Sequence, residues 1–250
     1  MRAFTKLTWV QAKMFLREPM GAFFTLLFGP LMMLLLGVIF GNHPDAQFGG
    51  RGYLDYSIAG YAAMVAGLAG LTTIPISAST RRESGVLRRF SVTPLRPLVY
   101  FLSDVLVPLV MTMLGILLLF LVGMLGFGVR YPGTPAGLAS LAGATGLGAL
   151  AFFALGYALA GLIRSARAVM VIGNVIVYPL VIFSGAFMPP NVMPEGLQRV
   201  SQFLPLGYLV TLLRGLWFGE TWSAHLTETA VLAAMLAVCT LIVTRTFRWS

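Results

Sequence analysis

The chain has 250 residues, of which 58% are hydrophobic and only 10% are charged. A soluble domain carries about 25% charged residues, so this composition excludes a soluble enzyme, a nucleic-acid-binding domain and a disordered chain. The net charge of +9 comes from short basic clusters that separate long uncharged runs, which is the pattern of a membrane protein rather than of a nucleic-acid partner.

The first 18 residues have the periodicity of an amphipathic helix. At 100° per residue, four basic side chains fall on one face and four apolar ones on the other. The basic set is Arg2, Lys6, Lys13 and Arg17, and the apolar set is Phe4, Leu7, Met14 and Phe15. We expect residues 1–18 to lie along the cytoplasmic leaflet with the basic face toward anionic headgroups. The helix is either a simple anchor or an elbow that slides when the membrane spans move.

Six uncharged runs are candidate membrane spans, since a helix needs about 20 apolar residues to span the hydrocarbon core, and only the sixth run is shorter than that. The runs are 19–42, 56–80, 105–129, 131–163, 168–194 and 229–244. The third span is expected to begin near Leu98 and the sixth near Leu226. The period-two alternation of a membrane barrel is absent. The predicted fold is an all-α integral membrane protein with a single transmembrane domain over residues 1–250.

The connections between these runs differ strongly in basic charge. With six spans, the side that holds both termini carries thirteen Lys and Arg residues, and the opposite side carries four. The positive-inside rule therefore predicts that both termini are cytoplasmic.

The cytoplasmic loop 79–97 carries five arginines and one acid, Glu83. Glu83, Val86, Leu87 and Phe90 share one face at helical spacing. A charged tether would explain the arginines but not these apolar residues. A short helix with this face is instead suited to docking in a groove on a partner protein.

The segment after the fifth span is rich in proline, which breaks helices. Within it, the uncharged run 200–213 has only 14 residues and contains Pro205. Such a run is too short for a span and suits a re-entrant segment whose backbone is covered by protein. We expect residues 188–215 to form one or two short helices that dip into the outer leaflet.

These two stretches together resemble the ABC-2 type transporter permeases, and the six-span layout matches as well. The resemblance rests on the loop Glu83-Ser-Gly-Val-Leu-Arg-Arg-Phe with Thr93-Pro94 and Pro97, and on Ser184-Gly185, Phe187, Pro189, Met193-Pro194, Leu204-Pro205 and Leu213-Arg214. The drug and antibiotic exporters of the daunorubicin-resistance type, and the nodulation-factor exporters, are the most similar subgroups.

The resemblance implies a multi-pass permease of the bacterial cytoplasmic membrane, which exports a hydrophobic or amphipathic substrate. It implies a dimer, homomeric or with a similar paralogue, and two copies of a separate ATPase that binds ATP and Mg²⁺. The implied contact with the ATPase comprises Arg82, Glu83, Gly85, Val86, Leu87, Arg89 and Phe90. The implied outer gate comprises Phe187, Pro189, Pro194, Leu204 and Pro205.

The chain itself has no phosphate-binding loop. That motif requires a lysine after a glycine-rich turn, and the only lysines are Lys6 and Lys13. We therefore expect no catalytic residues and no cofactor on this chain. His43 and His225 lie in different outer loops without a third ligand nearby, and with a single cysteine, Cys239, no metal site is expected.

A few polar or small residues within the spans are candidates for function or for packing. Asp104 is expected to pair with an arginine at the cytoplasmic surface, although an acid within a span is a functional candidate by default. Asn174 and Tyr178 either face a translocation path or bond between helices. Four pairs of small residues are expected to let helices approach closely: Ala63/Gly67, Ala66/Gly70, Ala142/Gly146 and Gly156/Ala160.

Two other classes of membrane protein fit the sequence less well. An ion-coupled secondary transporter usually has several acids within its spans and broken helices in two repeat halves, whereas this sequence has one shallow acid and one broken region. An intramembrane protease would need a nucleophile–base pair or a cluster of metal ligands within the spans, and neither is evident.

Overall fold

The computed structural model describes residues 2–85, 97–163, 165–187, 196, 199 and 201–246. The helices, in chain order, are α1 (Arg2–Arg17), α2 (Pro19–Phe40), α3 (Tyr53–Glu83), α4 (Pro97–Phe127), α5 (Pro135–Leu162), α6 (Ala166–Phe183), α7 (Pro205–Trp217) and α8 (Leu226–Thr246). Two antiparallel strands of two residues each, β1 (Pro44–Asp45) and β2 (Arg51–Gly52), close the turn between α2 and α3. The prediction of an all-α chain is confirmed.

Among the described residues, six helices are long and apolar enough to cross a membrane: α2 to α6, and α8 with the short 3₁₀ turn before it. They coincide with the six predicted runs, and α4 and α8 begin at Pro97 and Leu226, close to where they were expected. Helix α6 ends at Phe183, well before the uncharged run ends. The chain turns there through Gly185, whose φ of +79° lies in the left-handed region that favours glycine.

Helix α3 forms the centre of the molecule. In the most apolar stretch of 18 residues in α3, 94% of the residues are buried. In the corresponding stretch of α8, only 11% are buried. Helix α3 contacts α2, α4, α5, α6 and α7, whereas α8 packs mainly against α5 and α7 and leaves its remaining surface open. Most of the apolar surface of α8 therefore faces the bilayer.

Two membrane helices each contain one π-helical turn. The turn in α2 spans Phe23–Leu27 and the turn in α3 spans Ala69–Thr73, and the two are in contact. A π turn holds one extra residue and is frequent at functional sites. The pair marks the place where α2 and α3 depart from regular helical geometry.

Small residues bring the helices close together, as the sequence predicts. A side chain at Gly156 would collide with the carbonyl oxygen of Gly70, and one at Gly70 would collide with the backbone of Phe152. Gly67 lies against Leu206 at the contact of α3 with α7. Gly146 has open space around it, so the Ala142/Gly146 pair is not part of a contact between described helices.

The N-terminal helix α1 packs along α4. Of its predicted apolar face, Phe15 is buried at 8% exposed, whereas Met14 is 52% exposed. Lys6 and Lys13 are exposed. The helix is amphipathic as predicted, but protein covers only part of its apolar face, and the rest is available to lipid.

Candidate functional site

A buried ion pair joins α3 to α4 at one end of the membrane domain. Asp104 on α4 is 4% exposed, and its Oδ1 pairs with Nη1 of Arg81 on α3. Arg81 also donates to the hydroxyl of Tyr100 at 3.3 Å and to Oγ of Ser77 at 2.8 Å. The prediction that Asp104 pairs with a nearby arginine is confirmed.

Tyr157 brings a third helix into this ion pair. Its hydroxyl donates to the second carboxylate oxygen of Asp104 at 2.7 Å, which links α5 to α4. Both oxygens of Asp104 are therefore satisfied by a cation or a donor, as a buried carboxylate requires. The arrangement fixes the relative positions of α3, α4 and α5.

The next two residues of α3 bind the ends of two other helices. Arg82 donates to the carbonyl oxygens of Ala160 at 2.5 Å and Ile163 at 2.6 Å, at the end of α5. Glu83 accepts a hydrogen bond from the backbone N–H of Ala166 at 2.7 Å, at the start of α6. The last carbonyls and first N–H groups of a helix lack partners within it, and a cation at its end and an anion at its start also suit its dipole.

Gly85 ends α3. Its φ is +68°, and its N–H donates to the carbonyl oxygen of Arg82 at 3.1 Å. This is a common way to end a helix, because glycine adopts the left-handed conformation without strain. In the Glu83-Ser84-Gly85 motif, the glutamate therefore binds the start of α6 and the glycine terminates α3.

The sequence predicts that further residues of the same loop contact an ATPase. Val86, Leu87, Arg89 and Phe90 lie outside the described residues. Arg82 and Glu83, which the sequence assigned to the same contact, bind the ends of α5 and α6 within the chain. We call Arg81, Arg82, Glu83, Asp104 and Tyr157 the cytoplasmic cluster, after the side of the membrane that the charge distribution predicts for it.

A groove of about 420 Å³ runs between α2, α3 and α6. Both π turns border it, with Phe24 on α2 and Thr72 on α3 among its lining residues. Asn174 and Tyr178 line it from α6, and Glu18 lies at its end beside α1. The structure therefore brings the two polar residues of the fifth span into one concave surface.

The lining of this groove is mainly apolar with a few polar groups. Tyr178 is 54% exposed and Asn174 is half-buried, and neither forms a hydrogen bond to another helix among the described residues. The hydroxyl of Thr72 donates to its own helix, at Leu68, 2.6 Å away. An apolar wall with isolated polar groups is typical of sites that bind small molecules.

The chain after α6 folds back against the outer part of α3. The carbonyl oxygen of Ala186 lies so close to Gly60 that a side chain at Gly60 would collide with it, and Phe187 packs on the ring of Tyr61, with 5.5 Å between ring centres. Nη2 of Arg214 donates to the carbonyl oxygen of Gly185 at 2.7 Å. This hydrogen bond ties α7 to the turn at the end of α6.

Arg214 is held in an unusual position for a cation. Its guanidinium lies 4.0 Å from the centre of the Tyr56 ring, and burial lowers its pKa from the ordinary value. A cation over an aromatic face is stabilised by the ring quadrupole. Arg214 therefore joins α7 to α3 through an aromatic ring as well as to the turn after α6.

Helix α7 is short and almost completely buried. Pro205 occupies its first turn, where a missing N–H costs nothing, and Leu204 precedes it. Leu206, Leu209, Val210, Leu212, Leu213, Leu216 and Trp217 are each at most 2% exposed. Trp217 stacks on Phe120 of α4 with 5.2 Å between ring centres. Of the predicted outer gate, Phe187, Leu204 and Pro205 lie in this region, while Pro189 and Pro194 lie outside the described residues.

No group of three or more His, Cys, Asp or Glu side chains that could hold a metal ion is found in the described part of the chain. His225 contacts Glu220 at 2.7 Å and Glu228 at 3.7 Å, at the start of α8. His43 lies in the turn after α2.

The sequence did not single out Arg81 or Tyr157, and it named Arg214 only as part of the Leu213-Arg214 pair in the family resemblance. Arg81 contributed only to the charge count, and Tyr157 lies in an uncharged run with no polar neighbour at helical spacing. Their roles depend on contacts with residues far away in the chain. The one signal in the sequence for the ion pair was Asp104, because an acid buried in a membrane span needs a partner.

A family model described as ABC-2 type transporter matches residues 2–218. The match covers α1 to α7 and includes the cytoplasmic cluster, the groove and the turn after α6. A comparison with curated proteins gives no match. The six apolar helices and the matched length agree, and the chain belongs to the ABC-2 type transporter family as a multi-pass membrane component.

Proposed function

We propose that this chain is the permease subunit of an ATP-driven exporter in the cytoplasmic membrane of a bacterium. Two permease subunits, identical or paralogous, bind two copies of a separate ATPase that carries ATP and Mg²⁺. The substrate is hydrophobic or amphipathic, in the range of drugs, antibiotics, lipids and glycolipids. The family to which the chain belongs supports the transport function, and the resemblance of its motifs to those of the drug and nodulation-factor exporters supports export.

The observation that carries the proposal is the set of hydrogen bonds at the end of α3. Through Arg82 and Glu83, the last turn of α3, from which the loop toward α4 follows, holds the end of α5 and the start of α6. A force that an ATPase applies to this loop therefore acts on three helices at once. Two of them, α3 and α6, line the groove.

The groove between α2, α3 and α6 is the proposed substrate path. Its apolar lining suits the hydrophobic part of a substrate, and Asn174 and Tyr178 offer donors and acceptors to a polar part. The π turns of α2 and α3 lie at its wall. Irregular helical turns are places where a helix changes geometry at low cost, which a moving wall requires.

The charge distribution argues against the alternative, an ion-coupled secondary transporter. Such a protein needs acids that bind and release the coupling ion. Asp104 is already paired with Arg81, and among the described residues that line the groove the only acid is Glu18 at its end.

The test is reconstitution of the chain with its ATPase in vesicles. We expect the ATPase to co-purify, and a hydrophobic dye or fluorescent lipid analogue to move only when ATP and Mg²⁺ are supplied on the ATPase side. Transport without the ATPase, driven by a proton or sodium gradient, would overturn the proposal in favour of the secondary transporter.

A further inference from the structure

A second groove lies between α4, α5 and α8, and it shares no lining residue with the α2/α3/α6 groove. Its volume is about 500 Å³, within the roughly 300–1,000 Å³ range of ligand sites. Phe153 and Tyr157 of α5 form its floor, Phe101 and Val105 of α4 form one wall, and Leu236 and Val243 of α8 form the other.

This groove lies at the same end of the helices as the cytoplasmic cluster. Phe101 is four residues from the start of α4, Tyr157 is five from the end of α5, and Thr244 is two from the end of α8. Leu150, the deepest lining residue, is twelve residues from the end of α5, about 18 Å at 1.5 Å per residue. That depth is little more than half of the roughly 30 Å hydrocarbon core, so most of the groove lies in one leaflet, the cytoplasmic one.

The groove opens toward the lipid. Leu102 and Leu241, each next to a lining residue on one of the two walls, are 55% and 53% exposed. The walls diverge, because α8 packs on α5 and α4 packs on α2 and α1. A gap of this kind cannot remain empty in a bilayer without losing the van der Waals contacts of its lining. Ordered water requires several polar partners, which a mainly apolar lining does not supply.

A cation follows the last lining residue of the groove in the chain. Arg245 follows the lining residue Thr244 directly, at the end of α8, and its side chain is exposed. No ion pair to Arg245 is found among the described residues. Its position matches the headgroup level of the leaflet that the positive-inside rule assigns as cytoplasmic, where anionic phosphates gather around basic side chains.

We propose that this groove is a binding site for an anionic phospholipid of the cytoplasmic leaflet, with one acyl chain between α4 and α8 and the phosphate beside Arg245. The floor residue Tyr157 is the one whose hydroxyl holds Asp104 at 2.7 Å. The acyl chain therefore packs on the ring that supports the Arg81–Asp104 pair. The site is independent of the transported substrate and of the direction of transport.

The experiment compares the purified chain with three variants, using phosphatidylglycerol and phosphatidylcholine as probes. Thr240→Trp places an indole in the groove from an exposed position on α8. Val238→Trp is the matched control, because Val238 is 56% exposed on the same helix and is rotated by about 200° from Thr240. Arg245→Gln removes the cation alone. Bound lipid is counted by native mass spectrometry after delipidation and titration with each lipid.

We expect the unmodified chain to bind one phosphatidylglycerol about tenfold more tightly than phosphatidylcholine. Thr240→Trp should weaken binding of both lipids about tenfold, and Val238→Trp should not. Arg245→Gln should remove the preference for phosphatidylglycerol while phosphatidylcholine binds as before.

Equal lipid binding by Thr240→Trp and Val238→Trp would overturn the acyl-chain site. An unchanged headgroup preference in Arg245→Gln would overturn the placement of the phosphate. A loss of dimer in Thr240→Trp with unchanged lipid binding would mean that a second protein chain, not lipid, fills the groove. Thr240, Val238 and Arg245 are all exposed. The three variants should therefore retain the helical circular dichroism of the unmodified chain.

Discussion

Glu83 at the end of α3 accepts a hydrogen bond from the backbone N–H of Ala166 at the start of α6, across 83 positions of the chain. The contact lies where a helix start exposes unpaired N–H groups and favours a negative charge. Through it, a glutamate two residues before the helix-ending Gly85 joins the end of α3 to the start of a different helix.

Replacing this carboxylate should loosen α6. Glu83→Ala removes the acceptor of the Ala166 N–H, and the loss of an acceptor at a helix start costs about 0.5–2 kcal/mol. We expect ATP-driven transport in vesicles to fall about fivefold while the ATPase still co-purifies. Glu83→Gln, which keeps an acceptor, should retain more activity. Ser84→Ala, an exposed neighbour, is the control and should transport normally, and equal rates for Ser84→Ala and Glu83→Ala would contradict the role of this contact.

Loss of the Arg81–Asp104 pair should lower the free energy of unfolding more than loss of a single neutral hydrogen bond. Removal of one partner of a buried pair costs about 3–5 kcal/mol, because the other charge is left unpaired. Asp104→Leu and Arg81→Met should each lower the thermal unfolding midpoint in detergent, followed by tryptophan fluorescence. The unfolding midpoint of the double variant should fall by less than the sum of the decreases in the two single variants. Strict additivity would show that the two side chains do not interact.

Tyr157→Phe should be a milder change at the same place. It removes only the hydroxyl that donates to Asp104, a hydrogen bond to a charged group worth about 1.5–3 kcal/mol. Its unfolding midpoint, measured in the same way, should lie between those of the unmodified chain and Asp104→Leu. A midpoint below that of Asp104→Leu would mean that Tyr157 acts by another contact.

The proposed contact of the loop 79–97 with the ATPase can be tested at a residue that the sequence alone identifies. Leu87→Asp should abolish association with the ATPase, because a carboxylate buried without a partner in a protein groove costs several kcal/mol, or several orders of magnitude in affinity. Ser91→Asp, in the same loop, is the control for added charge. Co-purification of the ATPase is the measurement, and full association of Leu87→Asp would mean that the loop is only a charged tether.

A bulky side chain in the α2/α3/α6 groove should block transport. Asn174→Trp fills the groove from α6, whereas Val175→Trp, the next residue, is 66% exposed and does not line it. We expect dye transport to fall at least tenfold in the first variant and to be nearly normal in the second, with similar unfolding midpoints. Similar transport by both variants would exclude the groove as the path.

The orientation of the chain can be tested with single cysteines after replacement of Cys239. A membrane-impermeant thiol reagent should label Ser84→Cys only from the cytoplasmic side, and Ala46→Cys and Ala224→Cys only from outside. All three positions are exposed. The expectation rests on the excess of Lys and Arg on one side. Labelling of Ala46 and Ala224 from opposite sides would contradict the six-span topology.

Helix starts were predicted well where a proline or a charge marks the membrane boundary. Helix α4 begins at Pro97 and α8 at Leu226, both near the expected residues. The end of α6 was harder to place, because the run stays uncharged to Pro194 while the chain already turns at Gly185. Hydrophobicity alone does not reveal a turn that lies among apolar residues, so it could not locate the end of α6.

The sequence by itself determined the membrane class and the number of apolar helices, because these follow from lengths of uncharged chain. It also indicated that Asp104 needs a cation. Only the tertiary structure decided that Arg81 is this cation, that Tyr157 completes the site and that Arg82 and Glu83 bind the ends of α5 and α6. Inside a bilayer every helix is apolar on most of its surface, so hydrophobic periodicity does not show which helices are neighbours. The few polar contacts that fix the neighbours join residues that are distant in sequence.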